Sequence, residues 1–186
     1  MSGLRVIAGE AKGRRLHPVP GETTRPITDR TKESLFNILG ADIHEATFLD
    51  LFAGTGSVGI EALSRGVKYA RFIDNHPAAI KTIKGNLKKT GLVDRADVYR
   101  MDAFTLLDSQ PDKKFDYVYI APPQYRKLWE RAVQRIDANP EWLSEDAWIV
   151  VQIHPVEYSS QALKHFNEFD QRRYGSTLLV FYEVMN

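Results

Sequence analysis

The stretch Asp50-Leu51-Phe52-Ala53-Gly54-Thr55-Gly56-Ser57-Val58-Gly59 decides the fold. The residues before it, Thr47 to Leu51, read as a buried strand, and Val58 to Arg65 read as a helix that stops at Gly66. Gly54, Gly56 and Gly59 match the spacing G-x-G-x-x-G. Asp74 follows about 20 residues later, at the end of a second strand from Tyr69 to Ile73. Glycines let the backbone turn tightly and approach a ligand closely, and the Asp74 carboxylate can accept from two ribose hydroxyls. Spacing alone fits a dinucleotide site, but Asp50 argues against one. A carboxylate beside this loop repels a pyrophosphate and favours a cation, such as an α-ammonium or a sulfonium centre. S-adenosylmethionine carries both, together with a ribose, and nothing downstream looks like a second mononucleotide half. It is therefore the expected cofactor. A nicotinamide or flavin cofactor and a purely structural glycine turn are the competing readings.

Outward from this stretch the chain alternates. A helix from Pro77 to Lys89 ends near Gly91, a short strand covers Asp97 to Tyr99, another covers Phe115 to Ile120, Gln124 to Ile136 reads as helical, and Ala147 to Ile153 as a further strand. Two apolar segments between Phe166 and Val184, split by Tyr174-Gly175, predict a closing hairpin. Such alternation implies an α/β fold with a mostly parallel sheet of about seven strands and helices on both faces. Ligands bind such sheets at the carboxyl ends of the strands. Asp102, just after the third strand, is then placed to accept from the adenine amine. It can equally cap a helix starting at Ala103, and the two roles can coexist. Asn75, next to Asp74, is a further candidate for the adenosine. Asp116, inside an apolar strand, reads as structural, bonding backbone near the glycine loop.

The chain has 186 residues, 43% of them hydrophobic and 26% charged, which suits one globular domain and excludes wholesale disorder. It has no cysteine, which excludes a disulfide framework, a cysteine-ligated zinc and a thiol nucleophile, and fits a reducing, cytoplasmic compartment. No signal peptide and no membrane span of about 20 apolar residues is expected. The histidines at 17, 44, 76, 154 and 165 lack metal-site spacing, so no metal is expected. Trp129, Trp142 and Trp148 read as core or groove-edge packing.

The first 35 residues stand apart. Leu4 to Ala8 and Arg14 to His17 read as two short strands joined by a turn from Gly9 to Gly13, and Thr28 opens a helix that stops at Gly40. Seven bases (Arg5, Lys12, Arg14, Arg15, Arg25, Arg30, Lys32) face four acids here, a surplus of three positive charges in a chain whose net charge is +1. A solvated hairpin and a phosphate-contacting arm both fit that surplus. The expected organisation is a basic hairpin and helix over residues 1–40, packed on a core of residues 41–186.

After the strand ending at Ile120 comes Ala121-Pro122-Pro123-Gln124-Tyr125, in which the paired prolines fix φ twice and remove two amide donors. Here the sequence resembles the amino-methyltransferases, whose motif is Asp or Asn, Pro, Pro, then an aromatic. More closely it resembles the RsmD-type 16S rRNA (guanine-N2)-methyltransferase family. The resemblance runs through Arg5-Val6-Ile7-Ala8-Gly9, Lys12-Gly13-Arg14, Arg25-Pro26, Lys32-Glu33-Ser34-Leu35-Phe36-Asn37-Ile38-Leu39, Glu61-Ala62-Leu63-Ser64-Arg65-Gly66 and Arg173-Tyr174-Gly175-Ser176-Thr177. It implies a Rossmann-like class I S-adenosylmethionine-dependent methyltransferase with an N-terminal β-hairpin extension, acting on a guanine amine of 16S rRNA or the small ribosomal subunit; a monomer is expected. It implies RNA contacts at Lys12, Arg14, Arg15 and Arg25, a pocket role for Asn37, and cofactor contacts that include Phe52, Ser57 and Ala103. It also exposes a departure. Ala121 stands where the family has Asp or Asn, and Gln124 where it has an aromatic. The expectation is that the Pro122 carbonyl with Gln124 or a water holds the amine, and that Tyr125 stacks on the base. A protein that binds cofactor and RNA as a ribosome-assembly factor with little transfer is the alternative, and methylation of another base a further one.

Overall fold

The computed structural model describes residues 3–21 and 26–186. Its frame is the alternation of β1 (Thr47–Leu51), α2 (Ser57–Ser64), β2 (Tyr69–Asp74), α3 (Pro77–Thr90), β3 (Ala96–Arg100), α4 (Ala103–Asp108), β4 (Phe115–Ile120), α5 (Leu128–Ala138) and β5 (Leu143–Ile153). It is preceded by α1 (Asp29–Leu39) and closed by β6 (Phe166–Tyr174) and β7 (Thr177–Val184). The seven strands lie in the order β3-β2-β1-β4-β5-β7-β6. All pairs from β3 to β5 are parallel, and β7 runs antiparallel to both β5 and β6. The sequence-predicted fold class is therefore the observed one. Every residue of β1 is buried, as a central parallel strand covered on both faces requires. The strand order reverses between β1 and β4, and the crevice that opens at such a point is where this architecture takes its ligands.

Two cores fill the sheet faces. One packs Phe48, Phe72, Tyr117 and Phe181 against Leu35, Phe36, Ile60 and Ile83 of α1, α2 and α3. The other packs Leu49, Leu51 and Val151 against Leu107 of α4 and Trp129 and Val133 of α5. Trp129 and Trp142 are core residues, and Trp148 is half-buried against Phe169 at 4.8 Å between ring centroids. Helix α1 begins and ends where its sequence says: the Thr28 hydroxyl accepts from Thr31 N at 3.2 Å, and Gly40 follows the last turn.

Three readings need correction. The N-terminal hairpin exists, with Val6 N donating to Arg14 O (2.9 Å) and Leu16 N to Leu4 O (2.8 Å), but among the described residues its ladder pairing is a single bridge between Arg5 and Arg15. Its outer edge is satisfied by side chains of α2 instead of by a strand, as described below. Helix α5 starts at Leu128 and not at Gln124, because Tyr125 and Lys127 take left-handed φ values of 64° and 53° that no helix continues. The helix that Asp102 was expected to cap is present at Ala103–Asp108, and the Asp102 carboxylate caps it as expected. Asp116 is structural, but it sits at the opposite end of the sheet from the glycine loop. It accepts from Thr47 N (2.9 Å) and Ser144 Oγ (2.7 Å), tying the starts of β1, β4 and β5.

Candidate active site

The glycine loop is held from both sides. Ala53 N donates to Ile73 O (2.9 Å), which extends the β1–β2 pairing past the strand end, and Gly54 N donates to Asp74 Oδ2 (2.9 Å). The other oxygen of Asp74 accepts from His76 N at 2.9 Å. Gly56 then closes the turn onto Ala53 O (2.8 Å) and α2 begins at Ser57, which is buried. The third glycine has a packing role. A Cβ on Gly59 would stand 2.4 Å from Phe72 Cε1 and 3.1 Å from Asp50 Oδ2, so only glycine lets α2 lie this close to β1 and β2.

Asp50 is 2% exposed, and its Oδ2 accepts from Gly59 N at 3.1 Å. Burial pushes its carboxyl well above the usual carboxylate range. The Gly59 N–H pulls the other way, and the charge of Asp74 adds to the rise. A cationic ligand at this strand-end crevice would favour the ionised form of Asp50 and oppose that rise. Asp102 lies on the next strand connection, joined through Met101 N to Asp74 O (3.0 Å). Its Oδ1 accepts from Phe104 N (2.8 Å) and Thr105 N (3.2 Å), so both capping bonds fall on one oxygen.

On the other side of β1, β4 ends in the proline corner. Ala121 and Pro122 are half-buried, whereas Pro123, Gln124 and Tyr125 are exposed, Tyr125 to 66%. Tyr125 N donates to Glu157 Oε1 (2.8 Å), and the same carboxylate accepts from His154 N (3.2 Å). A cleft of about 420 Å³ opens there between Tyr125, Lys127, Glu130, Val156 and Glu157. Beneath the corner, the fully buried Tyr119 donates its hydroxyl to Gln152 Oε1. Burial, with the charge of Asp50, pushes that hydroxyl well above its ordinary value, so it remains a proton donor at neutral pH.

The N-terminal arm docks on the outer side of α2. Glu61, wholly buried, accepts from Ile7 N (2.8 Å), Ala8 N (3.1 Å) and Arg65 Nε (2.8 Å), and stands 3.4 Å from Lys32 Nζ. Ser64 donates to Ala8 O (2.7 Å) and accepts from Ala11 N (2.9 Å). A Cβ on Gly9 would meet Ser64 O at 1.9 Å, so this contact is closed to any other residue. Asn86 of α3 accepts from His17 N (2.7 Å) and donates to His17 O and Thr55 O (both 3.0 Å), joining arm to glycine loop.

A family model described as "Conserved hypothetical protein 95" matches residues 4–183. The chain belongs to this family. Among its relatives is the ribosomal RNA small subunit methyltransferase D of Haemophilus influenzae, 38% identical over 152 residues that cover 80% of this chain and 78% of the relative. The solved yhhF protein of Escherichia coli superposes with a TM-score of 0.87 at 31% identity, over 98% of both chains. An RNA methyltransferase of Salinibacter ruber, solved with S-adenosyl-L-homocysteine, shares the fold with a TM-score of 0.63 at 15% identity, over 86% of this chain and 94% of that one. The sequence resemblance to RsmD-type methyltransferases is thus borne out.

Within this family fold, the expected cofactor residues Asp50, Phe52, Gly54, Gly56, Ser57, Asp74, Asn75, Asp102 and Ala103 gather at the carboxyl ends of β1, β2 and β3. The residues 121–125 stand across the crevice at the end of β4, a direct neighbour of β1. Three of the four expected RNA residues share the docked hairpin. Arg14 and Arg15 are exposed on the docked hairpin. Lys12 lies at its tip, by the carboxyl end of α2 and away from the crevice, and Arg25 lies outside the described residues. Sequence reasoning missed Glu61, Ser64, Asn86, Gln152 and Glu157. The motif Glu61 to Gly66 carried the signal for the first two, since a glutamate and a serine at that spacing on an otherwise apolar helix need partners from elsewhere.

Proposed function

We propose that the chain transfers a methyl group from S-adenosylmethionine to the exocyclic N2 of a guanine in 16S rRNA. One observation carries the reading: a rigid Pro122-Pro123 corner ends β4 directly beside β1, whose own end bears the carboxylate-flanked glycine loop. Cofactor crevice and base-receiving corner therefore adjoin. The residues present fit the cofactor. A carboxylate offers about four acceptor positions, and Asp74 uses two on Gly54 and His76, leaving two for ribose hydroxyls. Asp102 keeps Oδ2 for the adenine amine, and buried Asp50 favours the positive methionine end. The bound cofactor supplies an electrophilic methyl on a sulfonium.

The chain's own work is positioning. The lone pair of a guanine amine is delocalised into the ring, so hydrogen bonds from both N–H groups to fixed acceptors are needed to aim it at the methyl. The Pro122 carbonyl is one such acceptor. Tyr125, exposed at the rim, offers a stacking face for a base drawn out of its helix. Arg14 and Arg15 would hold phosphates and so orient the RNA. Support for rRNA as the class of substrate comes from relatives that carry the name ribosomal RNA small subunit methyltransferase D. The test is transfer of tritiated methyl to small-subunit rRNA, followed by mapping. Label on a guanine N2 is expected, and label on another base or none at all refutes the assignment. Ala121 favours one second reading, a cofactor- and RNA-binding assembly factor without transfer. That reading requires RNA binding with no incorporation.

A further inference from the structure

We propose that the side-chain carbonyl of Gln152 takes the place of the acceptor missing at position 121 and holds one N–H of the target amine. The inference rests on the methyl-transfer reading above. In the parallel pair β4–β5, Tyr119 lies beside Val150 and Ile120 beside Val151. Carried one residue further, that register puts Ala121 beside Gln152. Side chains alternate along a strand, and Tyr119, Ala121 and Val150 all face the layer of α1, α2 and α3. Gln152 shares that face, since its Oε1 accepts from the Tyr119 hydroxyl. On its other side Tyr119 neighbours Asp50. Asp50, Tyr119 and Gln152 thus form a polar row across three adjoining strands, just below the crevice.

The alternatives at the corner are poorer. Ala121 presents only a methyl group. Gln124 is exposed in the turn, where nothing among the described residues fixes its side chain. An amide carbonyl has two lone pairs. Tyr119 occupies one on Gln152 and fixes the direction of the other, and the side chain is only half-buried at the level of Ala121. With N–H bonds to Gln152 Oε1 and Pro122 O, the amine nitrogen is held with its lone pair toward the methyl carbon. The nitrogen–carbon bond forms as the carbon–sulfur bond breaks, and the breaking bond's electron pair stays on sulfur. The surplus proton on nitrogen then passes to water, because a neutral amide orients the amine without taking its proton.

The test uses the full chain, S-adenosylmethionine and unmethylated small subunits. Gln152→Leu should lower kcat about 10²-fold, by analogy with loss of one positioned active-site group. The KM for RNA and the affinity for S-adenosylhomocysteine by calorimetry should stay at wild-type values. Adding Ala121→Asn to Gln152→Leu should recover at least tenfold of the loss, which a structural defect at position 152 would not allow. Wild-type kcat in Gln152→Leu overturns the proposal, as does a double variant that binds S-adenosylhomocysteine normally yet is no faster than Gln152→Leu. No transfer by the wild-type chain would sink the methyl-transfer reading itself, and the inference with it.

Discussion

Replacing Glu61 by alanine should loosen the arm and the fold together. The carboxylate is 0% exposed and accepts from two arm amides at 2.8 and 3.1 Å and from Arg65, with the Lys32 ammonium 3.4 Å away. Lys32 is itself 1% exposed, and its Nζ also donates to Arg5 O at 2.6 Å. Removing one partner of a buried pair leaves the other charge uncompensated, at a cost of about 3–5 kcal/mol. For a chain of this size each kcal/mol moves Tm by about 2–4 °C. A midpoint of about 4 kcal/mol therefore predicts a fall of roughly 8–16 °C. Undocking lets the Ile7 and Ala8 amides reach water, so hydrogen exchange at these two sites should accelerate before the rest of the chain opens. Circular dichroism melts and native-state exchange provide the assay. A fall in Tm below about 2 °C, with arm protection unchanged, would refute the claim that Glu61 is the buried anchor of the arm.

Four further outcomes are expected. Burial holds the folded Lys32 below its usual 10.5 while Glu61 pulls it back up, so between the folded value and 10.5 the unfolded chain binds more protons and stability rises with pH. In Glu61→Gln that alkaline window widens downward, and the Tm deficit against wild type should shrink as pH rises through it; a deficit independent of pH would contradict this. Asp74→Ala removes two ribose bonds to a charged acceptor, about 3 kcal/mol in all, and should weaken S-adenosylhomocysteine binding about 10²-fold by calorimetry; an affinity change under about threefold removes the assignment. Gly59→Ala forces a methyl to 2.4 Å from Phe72 and should destabilise by about 1–3 kcal/mol, which an unchanged Tm would disprove. Arg14→Glu with Arg15→Glu should flatten the salt dependence of RNA binding; an identical slope would mean that the hairpin does not clamp phosphate.

Strand periodicity and the glycine loop made the central sheet legible, because β1, β2 and β4 are short apolar runs bounded by residues that cannot continue them. The proline corner was legible as a break, but not the left-handed Tyr125 and Lys127 that delay α5, since neither side chain advertises a positive φ. The carboxylates of Asp50, Asp74 and Asp102 could be read one by one, as each lies at or just past the end of a strand. Their partners were hidden. Asn86 meets Thr55 across 31 residues and His17 across 69, and Ile7 meets Glu61 across 54. Gln152 becomes visible only once the β4–β5 register is fixed. Contacts of that range depend on how elements pack and leave no local pattern in the chain.

A crystal structure of the chain with S-adenosylhomocysteine tests the central claim most directly. The ribose should lie on Asp74, the adenine amine against Asp102, and the sulfur between the Asp50 end of β1 and the Pro122 corner. Ligand bound anywhere other than this crevice, or lying in it with its amino-acid end away from Asp50, would contradict the account.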